Sequence, residues 1–231
     1  GDKELPMKKR IGEIREPVSK SDFLFLDYHS SLIFLTLWLG LCPITVEGKD
    51  TSGMIYISPA EDGPTGAIHG FYIDRYEVTQ AEYLKVMFKN PSYFKGSERP
   101  VEKVTWSQAV SFCDKIGKRL PTEHEWERAI RAGTKSPYYW EGISSDRFAW
   151  HKGNADKRTH VVGQKEPNAW GLYDMAGNVW EWTGSEHEDG GKVVRGGSWR
   201  NGVGSLKSSH RIYSLPIFKF HYVGFRCATS H

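Results

Sequence analysis

Residues 196–226 alternate rigid punctuation with short runs that obey no folding period. Gly196-Gly197-Ser198-Trp199, Pro216 and Val223-Gly224-Phe225-Arg226 supply the punctuation. Between them, Ile212-Tyr213-Ser214-Leu215 and Phe220-His221-Tyr222 show neither a strand's alternation nor a helix's period near four. Large aromatic side chains stand beside Ser, His and Asn, as in antibody paratopes, where Tyr-like anchors supply contact area at low entropy cost. A chain carrying such a segment must hold it on a frame built elsewhere. The mixture predicts a binding surface on a fixed scaffold.

Composition permits that scaffold. The 231 residues, 39% hydrophobic and 26% charged, fit one large domain or one domain with an extension. A net charge of +3 with no long run of like charge argues against binding nucleic acid or membrane surfaces through bulk charge. Nine Trp, eleven Tyr and eleven Phe are the unusual feature; much of that content must be core, though Trp and Tyr also dominate binding hot spots. No CxxC or HExxH spacing occurs, and His151, His160 and His187 are too scattered to read as metal ligands. The three cysteines, Cys42, Cys113 and Cys227, allow one pair and one left over. Residues 23–41 are the most apolar stretch. Their unbroken part, 32–42, is shorter than the roughly 18–20 residues a membrane span needs. It is expected to be a packed strand or helix, or else a signal segment ending at Cys42.

Further along, Met54-Ile55-Tyr56-Ile57-Ser58 reads as a strand, 59–66 as a turn-rich loop and 70–74 as a second strand. Thr79 with Glu82 forms a capping box for a helix whose apolar stripe is Tyr83, Val86 and Met87. A second helix is expected with Ser107 as its cap, carrying Ala109, Val110, Phe112, Cys113 and Ile116, and stopping at Gly117. Thr122 and Glu125 form another capping box before a short helix over 126–131. Beyond Gly133, frequent Pro, Gly, Asn and Asp predict loops and short strands.

Five blocks then carry a family resemblance. They are MIYISP with FYIDRYEVTQAEY, RPVEKVTWSQAVSFC, GKRLPTEHEWERAIRAG, NAWGLYDMAGNVWEW, and VVRGGSW followed by VGFRCA, in order across residues 54–228. Together they resemble the formylglycine-generating-enzyme (sulfatase-modifying factor) branch of the C-type lectin fold. The resemblance implies an α+β domain with few helices, short antiparallel strands and much irregular loop, spanning 54–231. Residues 1–53 would then be an extension, either packed on the domain or signal-like. It implies Asn178 and Glu181 as candidate calcium ligands, oxygen donors that suit this cation; the plainer alternative is an Asn side chain spent on a hydrogen bond. No other cofactor is required. The resemblance also pairs Cys113 with Cys227, a disulfide in an exported protein and otherwise two small buried hydrophobes. Cys42 has no counterpart in the pattern.

The enzymes of that family depend on two cysteines shortly after the GGS-aromatic motif, as thiolate chemistry demands. The matching positions here are Asn201 and Leu206, and neither can be a thiolate. The last segment resembles instead the variable region of diversity-generating-retroelement proteins, which display hypervariable residues on this fold. The frame would be 196–199, Val203, 206–209, Arg211, Pro216, Lys219 and 223–226. The variable slots would be Arg200, Asn201, Gly202, Gly204, Ser205, His210, Ile212, Tyr213, Ser214, Leu215, Ile217, Phe218, Phe220, His221 and Tyr222. Adenine-directed mutagenesis of AAC codons cannot produce Lys, Glu, Gln, Met or Trp. Those types make up about a fifth of an average sequence, yet no slot holds one, while Lys207 and Lys219 fall on the frame.

The expectation is therefore a non-enzymatic display protein whose main contacts are Tyr213, Phe218, Phe220, His221 and Tyr222, with Arg200 and Asn201 adding polar specificity. Its partner would be a protein or surface ligand and not nucleic acid, met by a monomer at the cell surface or in the secreted fraction, with a lipoprotein as one form. The rival readings are a divergent oxidase, a calcium-dependent lectin and an inert accessory protein. Phe218 and Phe220 could alternatively belong to the core.

Overall fold

The computed structural model describes residues 50–230 apart from 64, 65 and 143. The apolar stretch at 23–41, Cys42 and most of the expected extension lie outside the described residues. Strand β1 (Met54–Ile57) pairs antiparallel with β4 (Phe71–Asp74), Met54 facing Asp74 and Ile57 facing Phe71. The stretch between them, expected as loop, folds into a hairpin of β2 (Ala60–Gly63) and β3 (Gly66–Ile68). Strands this short offer no readable alternation. On the far edge of β4 lies β9 (Ala228–Ser230), so a three-stranded sheet brings the end of the domain back to its beginning.

Three capped helices follow. Thr79 accepts from the Glu82 amide while the Glu82 carboxylate takes the Thr79 amide, opening α1 (Gln80–Met87). The cap of α2 (Trp106–Lys115) is Thr105, not the expected Ser107. A capping box needs an acceptor three residues on. Gln108 serves Thr105 in that way, whereas Ser107 would have had Val110. Thr122 caps α3 (Glu123–Arg131), which starts before the expected Trp126 because the Thr122–Glu125 box places Glu123 in its first turn. Each helix buries one face: Tyr83 from α1, Phe112 and Cys113 from α2, Trp126 and Ile130 from α3.

After a long irregular stretch broken by one 3-10 turn (Ser145–Arg147) come β5 (Trp180–Glu186), β6 (Lys192–Arg195), β7 (Arg211–Ser214) and β8 (Val223–Gly224). Their order is β7-β6-β5-β8, with β8 parallel to β5 and the other pairs antiparallel. β7 corrects the expectation that residues 212–215 lack strand character. It is an edge strand with both faces largely exposed, so no side alternates toward a core and the period of two disappears.

The apolar interior falls into two clusters. One gathers Ile57, Phe71, Ile73, Trp126, Ile130, Trp140, Leu172 and Leu206. The other gathers Tyr83, Phe112, Trp182, Val194, Val223 and Phe225 around α1, α2 and β5. Truncating a side chain such as Trp126 or Trp182, both fully buried, costs roughly 3–5 kcal/mol. Cys113 on α2 and Cys227 beside β9 are joined by a disulfide across a sequence separation of 114. Closing a loop of that length removes about 4.7 kcal/mol worth of unfolded-state entropy in the chain-entropy picture.

Candidate functional site

Two arginines with no solvent exposure hold the frame of residues 196–226. Arg226 meets Glu181 bidentately, Nε and NH2 each 2.8 Å from a carboxylate oxygen. Its remaining donors reach the carbonyls of Asp74, Arg75 and Tyr173. Arg195, at the end of β6, donates to the carbonyls of Ser208, Ser209 and His210 and to the Glu127 carboxylate at 2.6 Å. Trp126 joins the two systems: its indole N–H donates to Glu181 at 2.7 Å while the Arg195 guanidinium lies 5.3 Å over its ring. Burying charge is tolerable only with this degree of pairing.

The main chain between these anchors is tied down by groups outside the slots. The Asn201 carbonyl accepts from the Lys152 amide, the Pro216 carbonyl from Trp106, the Phe220 carbonyl from Lys103 and the Tyr222 carbonyl from Trp180. Trp199 donates its indole N–H to the His221 carbonyl and its amide to Asn178. Gly197, at φ +77°, lets the 3-10 turn Val203–Leu206 close against it; a Cβ there would stand 2.5 Å from Leu206 Cδ2. None of these bonds uses a slot side chain.

The slot side chains lie outside. No slot is buried, whereas Gly196, Gly197, Ser198, Trp199, Leu206, Ser208 and residues 223–226 all are. Ile217 is 72% exposed, Tyr213 46% and Phe218 45%, which places Phe218 out of the core. Phe220 is half-buried and packs against the second cluster, so the core alternative describes it in part. Frame positions Lys207, Ser209, Arg211 and Lys219 are exposed as well, so exposure alone does not separate slot from frame. Asn201 departs from the expected specificity role: its amide oxygen accepts from Trp180 Nε1 at 3.0 Å and Ser198 Oγ at 2.6 Å, facing the frame.

The structure assembles the aromatic slots with residues that sequence reasoning missed. Phe218, Phe220, Tyr222 and His221 form a chain of ring contacts at 5.0–5.8 Å. It continues from His221 to Trp199 at 5.5 Å, Tyr93 at 5.7 Å and Phe94 at 6.0 Å. Arg200 lies 4.4 Å over the Tyr222 ring. Tyr93 and Phe94 follow an Asn-Pro turn signal in a stretch with no apolar period, the one cue that set them apart. At the other end of the face, Tyr213 stacks on His187 at 4.4 Å. Burial, with Arg200 and Lys103 nearby, holds the His221 imidazole below its ordinary pKa; burial and then Arg195 and Lys207 do the same for His210. Both shifts favour the neutral imidazole.

Asn178 and Glu181 do not fit a calcium site. The Asn178 oxygen accepts from the His160 amide and its NH2 donates to Glu77, while both Glu181 oxygens are taken by Arg226 and one also by Trp126. A cation at Glu181 would have to displace a guanidinium. Among the described residues, no group of three or more His, Cys, Asp or Glu is placed to hold a metal ion. Of the two positions matching the enzyme cysteines, Asn201 supports the frame and Leu206 is buried in the first cluster.

Comparison with known proteins agrees with this architecture. The chain is 33% identical over 204 residues to the chaperone protein LppX of Paenibacillus barcinonensis, 61% of this chain and 73% of that one. It is 36% identical over 156 residues to the inactive C-alpha-formylglycine-generating enzyme 2 of Mus musculus, covering 58% of this chain but half of that protein. The formylglycine-generating enzyme of the same organism is 30% identical over 173 residues, 61% of this chain and 46% of the enzyme. Inactive and active relatives thus share the domain. Among solved structures, Treponema denticola variable protein 1 superposes with a TM-score of 0.70 at 26% identity, covering 77% of this chain and 95% of that one. The model of the sulfatase-modifying factor enzyme 1-like domain matches residues 52–231. By that match and by its C-type lectin fold, the chain belongs to the family of formylglycine-generating-enzyme-like domains.

Proposed function

We propose that this chain is a receptor-type display protein, without catalytic activity or a required cofactor, whose exposed slots between 200 and 222 contact a protein or surface ligand and are diversified by a retroelement. One observation carries the reading: the backbone of the segment is held by Arg195, Arg226, Trp199 and main-chain bonds from outside it, while its slot side chains, Asn201 apart, are left accessible. Such a face can change its chemistry without changing its fold. The likeness to the treponemal variable protein supports it, as does the lack of a cysteine at Asn201 and Leu206. The disulfide supports work in an oxidising compartment, at the cell surface or outside the cell. No helix among the described residues is long and apolar enough to cross a membrane. The domain acts as a monomer in this reading and does not engage nucleic acid.

The test is deep sequencing of the coding region across many isolates, with the flanking DNA searched for a reverse transcriptase and an adenine-mutable template copy. Codon changes confined to the named slots are expected. Substitutions spread evenly over frame and slots would overturn the reading, as would oxidation of a peptide cysteine by the purified chain.

A further inference from the structure

The loop at 90–96 is outside the segment called variable, yet it forms one wall of the same face. Two buried polar side chains build it. Glu102, with no exposure, accepts the amides of Tyr93 and Phe94 on one oxygen, at 2.6 and 2.8 Å. Gln80, 1% exposed, donates to the Phe94 carbonyl and accepts from Asn90 Nδ2 and the Gly96 amide. This wiring leaves Tyr93 65% exposed, beside His221 and in edge contact with Phe94. A large ring held out by dedicated buried polar groups is not needed for folding. It is a preorganised contact of the kind that forms hot spots.

The charge that the segment of residues 196–226 contributes is one-sided. No Asp or Glu occurs after Asp189, so the whole segment brings only cations. Toward Tyr213, Arg211 pairs with Glu123 and Glu188, and Lys192, just before the segment, pairs with Glu186. Toward Tyr93 no such pairs form. Arg200 and Lys103 flank His221 with no carboxylate in ion-pair range among the described residues, and Lys219 is exposed between Phe218 and Phe220. The nearby Glu102 carboxylate is buried beneath the loop, one oxygen bound to its amides and the other without a partner among the described residues.

Resting on the display reading, the geometry points to a binding face in two halves: a fixed anchor, Tyr93 with Lys103, present whatever the slots hold, beside the changeable slots, and suited to an acidic polypeptide with an apolar side chain that packs on the Tyr93 and His221 rings. Charge of one sign at a rim selects and steers such a partner.

A random-peptide phage library panned on the full-length chain tests this. The expected result is binders enriched in Asp and Glu whose affinity weakens about tenfold, roughly 1.4 kcal/mol, in Tyr93→Ala, in Lys103→Glu and in the slot variant Tyr222→Ser. Tyr93→Phe retains binding, and Leu84→Ser, on an exposed part of α1, leaves it unchanged. Melting temperatures are measured alongside, so that a folding defect is not read as lost binding. Binders that need Tyr222 but are indifferent to Tyr93 and Lys103, or that carry no acidic bias, overturn the anchor and leave the display reading standing. Binders indifferent to all three, or no binders, overturn both. Heparin held equally by the wild type and Tyr93→Ala would mark a bare polyanion site and overturn the proposed peptide partner.

Discussion

The interior around Glu181 and the face between Arg211 and Tyr222 invert the usual placement of side chains. Inside, two arginines and the carboxylates of Glu77, Asp174 and Glu181 are sealed from water. Outside, Ile212, Tyr213, Leu215, Ile217 and Phe218 are presented to it. Packing an apolar core would not require the first, and solubility argues against the second. The difference teaches that this domain spends its polar groups on fixing a backbone. Directional bonds can hold irregular chain where no regular ladder runs, and that leaves the apolar side chains of the segment exposed.

The comparison predicts its own breakage. Arg226→Met should be the most damaging, costing roughly 3–5 kcal/mol because it strands the buried Glu181 charge. The double variant Arg226→Met/Glu181→Met should recover part of that loss in urea unfolding, and a double variant worse than the single would refute the stranded-charge account.

Asp174 comes next. Burial pushes its carboxyl up to about 6, with Glu181 adding to the rise and the Gly163 amide and Arg226 opposing it. One of its oxygens is buried without a partner. A carboxyl whose folded pKa lies above its unfolded value lowers stability at high pH, and that penalty fades as pH falls through about 6 toward 4. Asp174→Asn should therefore be more stable than the wild type at pH 8, by roughly 1–3 kcal/mol, and the two should converge near pH 4. Equal differences at both pH values would remove the charge as the cause. Smallest should be Ile217→Ser and Phe218→Ser, each within about 0.5 kcal/mol of wild type in the same unfolding assay. A larger loss would show that these side chains support the frame.

The capping boxes at Thr79 and Thr122 could be read directly, because a cap is a local bargain between residues three apart. Thr105 was missed by two positions since Thr and Ser both cap, and only Gln108 decides between them. The hairpin at 60–68 left no pattern because its strands are only four and three residues long, and edge strand β7 left none because it presents no face to a core. Slot and frame positions were named from the family resemblance alone. Yet that Asn201 turns inward, and that Phe220 packs partly on the core, depended on neighbours distant in sequence. Tyr93 and Phe94 escaped for the same reason: Glu102 and Gln80 place them, and His221, more than 120 residues on, gives them meaning.

By itself the sequence determined the family, the capping boxes at Thr79 and Thr122 and the absence of thiols where an oxidase would need them, since these rest on residue identity and short-range spacing. Tertiary structure alone decided which carboxylates are consumed by arginines, which aromatic rings meet, and that one end of the face carries unneutralised charge. Those outcomes depend on desolvation and on contacts between distant segments, and no local pattern records either.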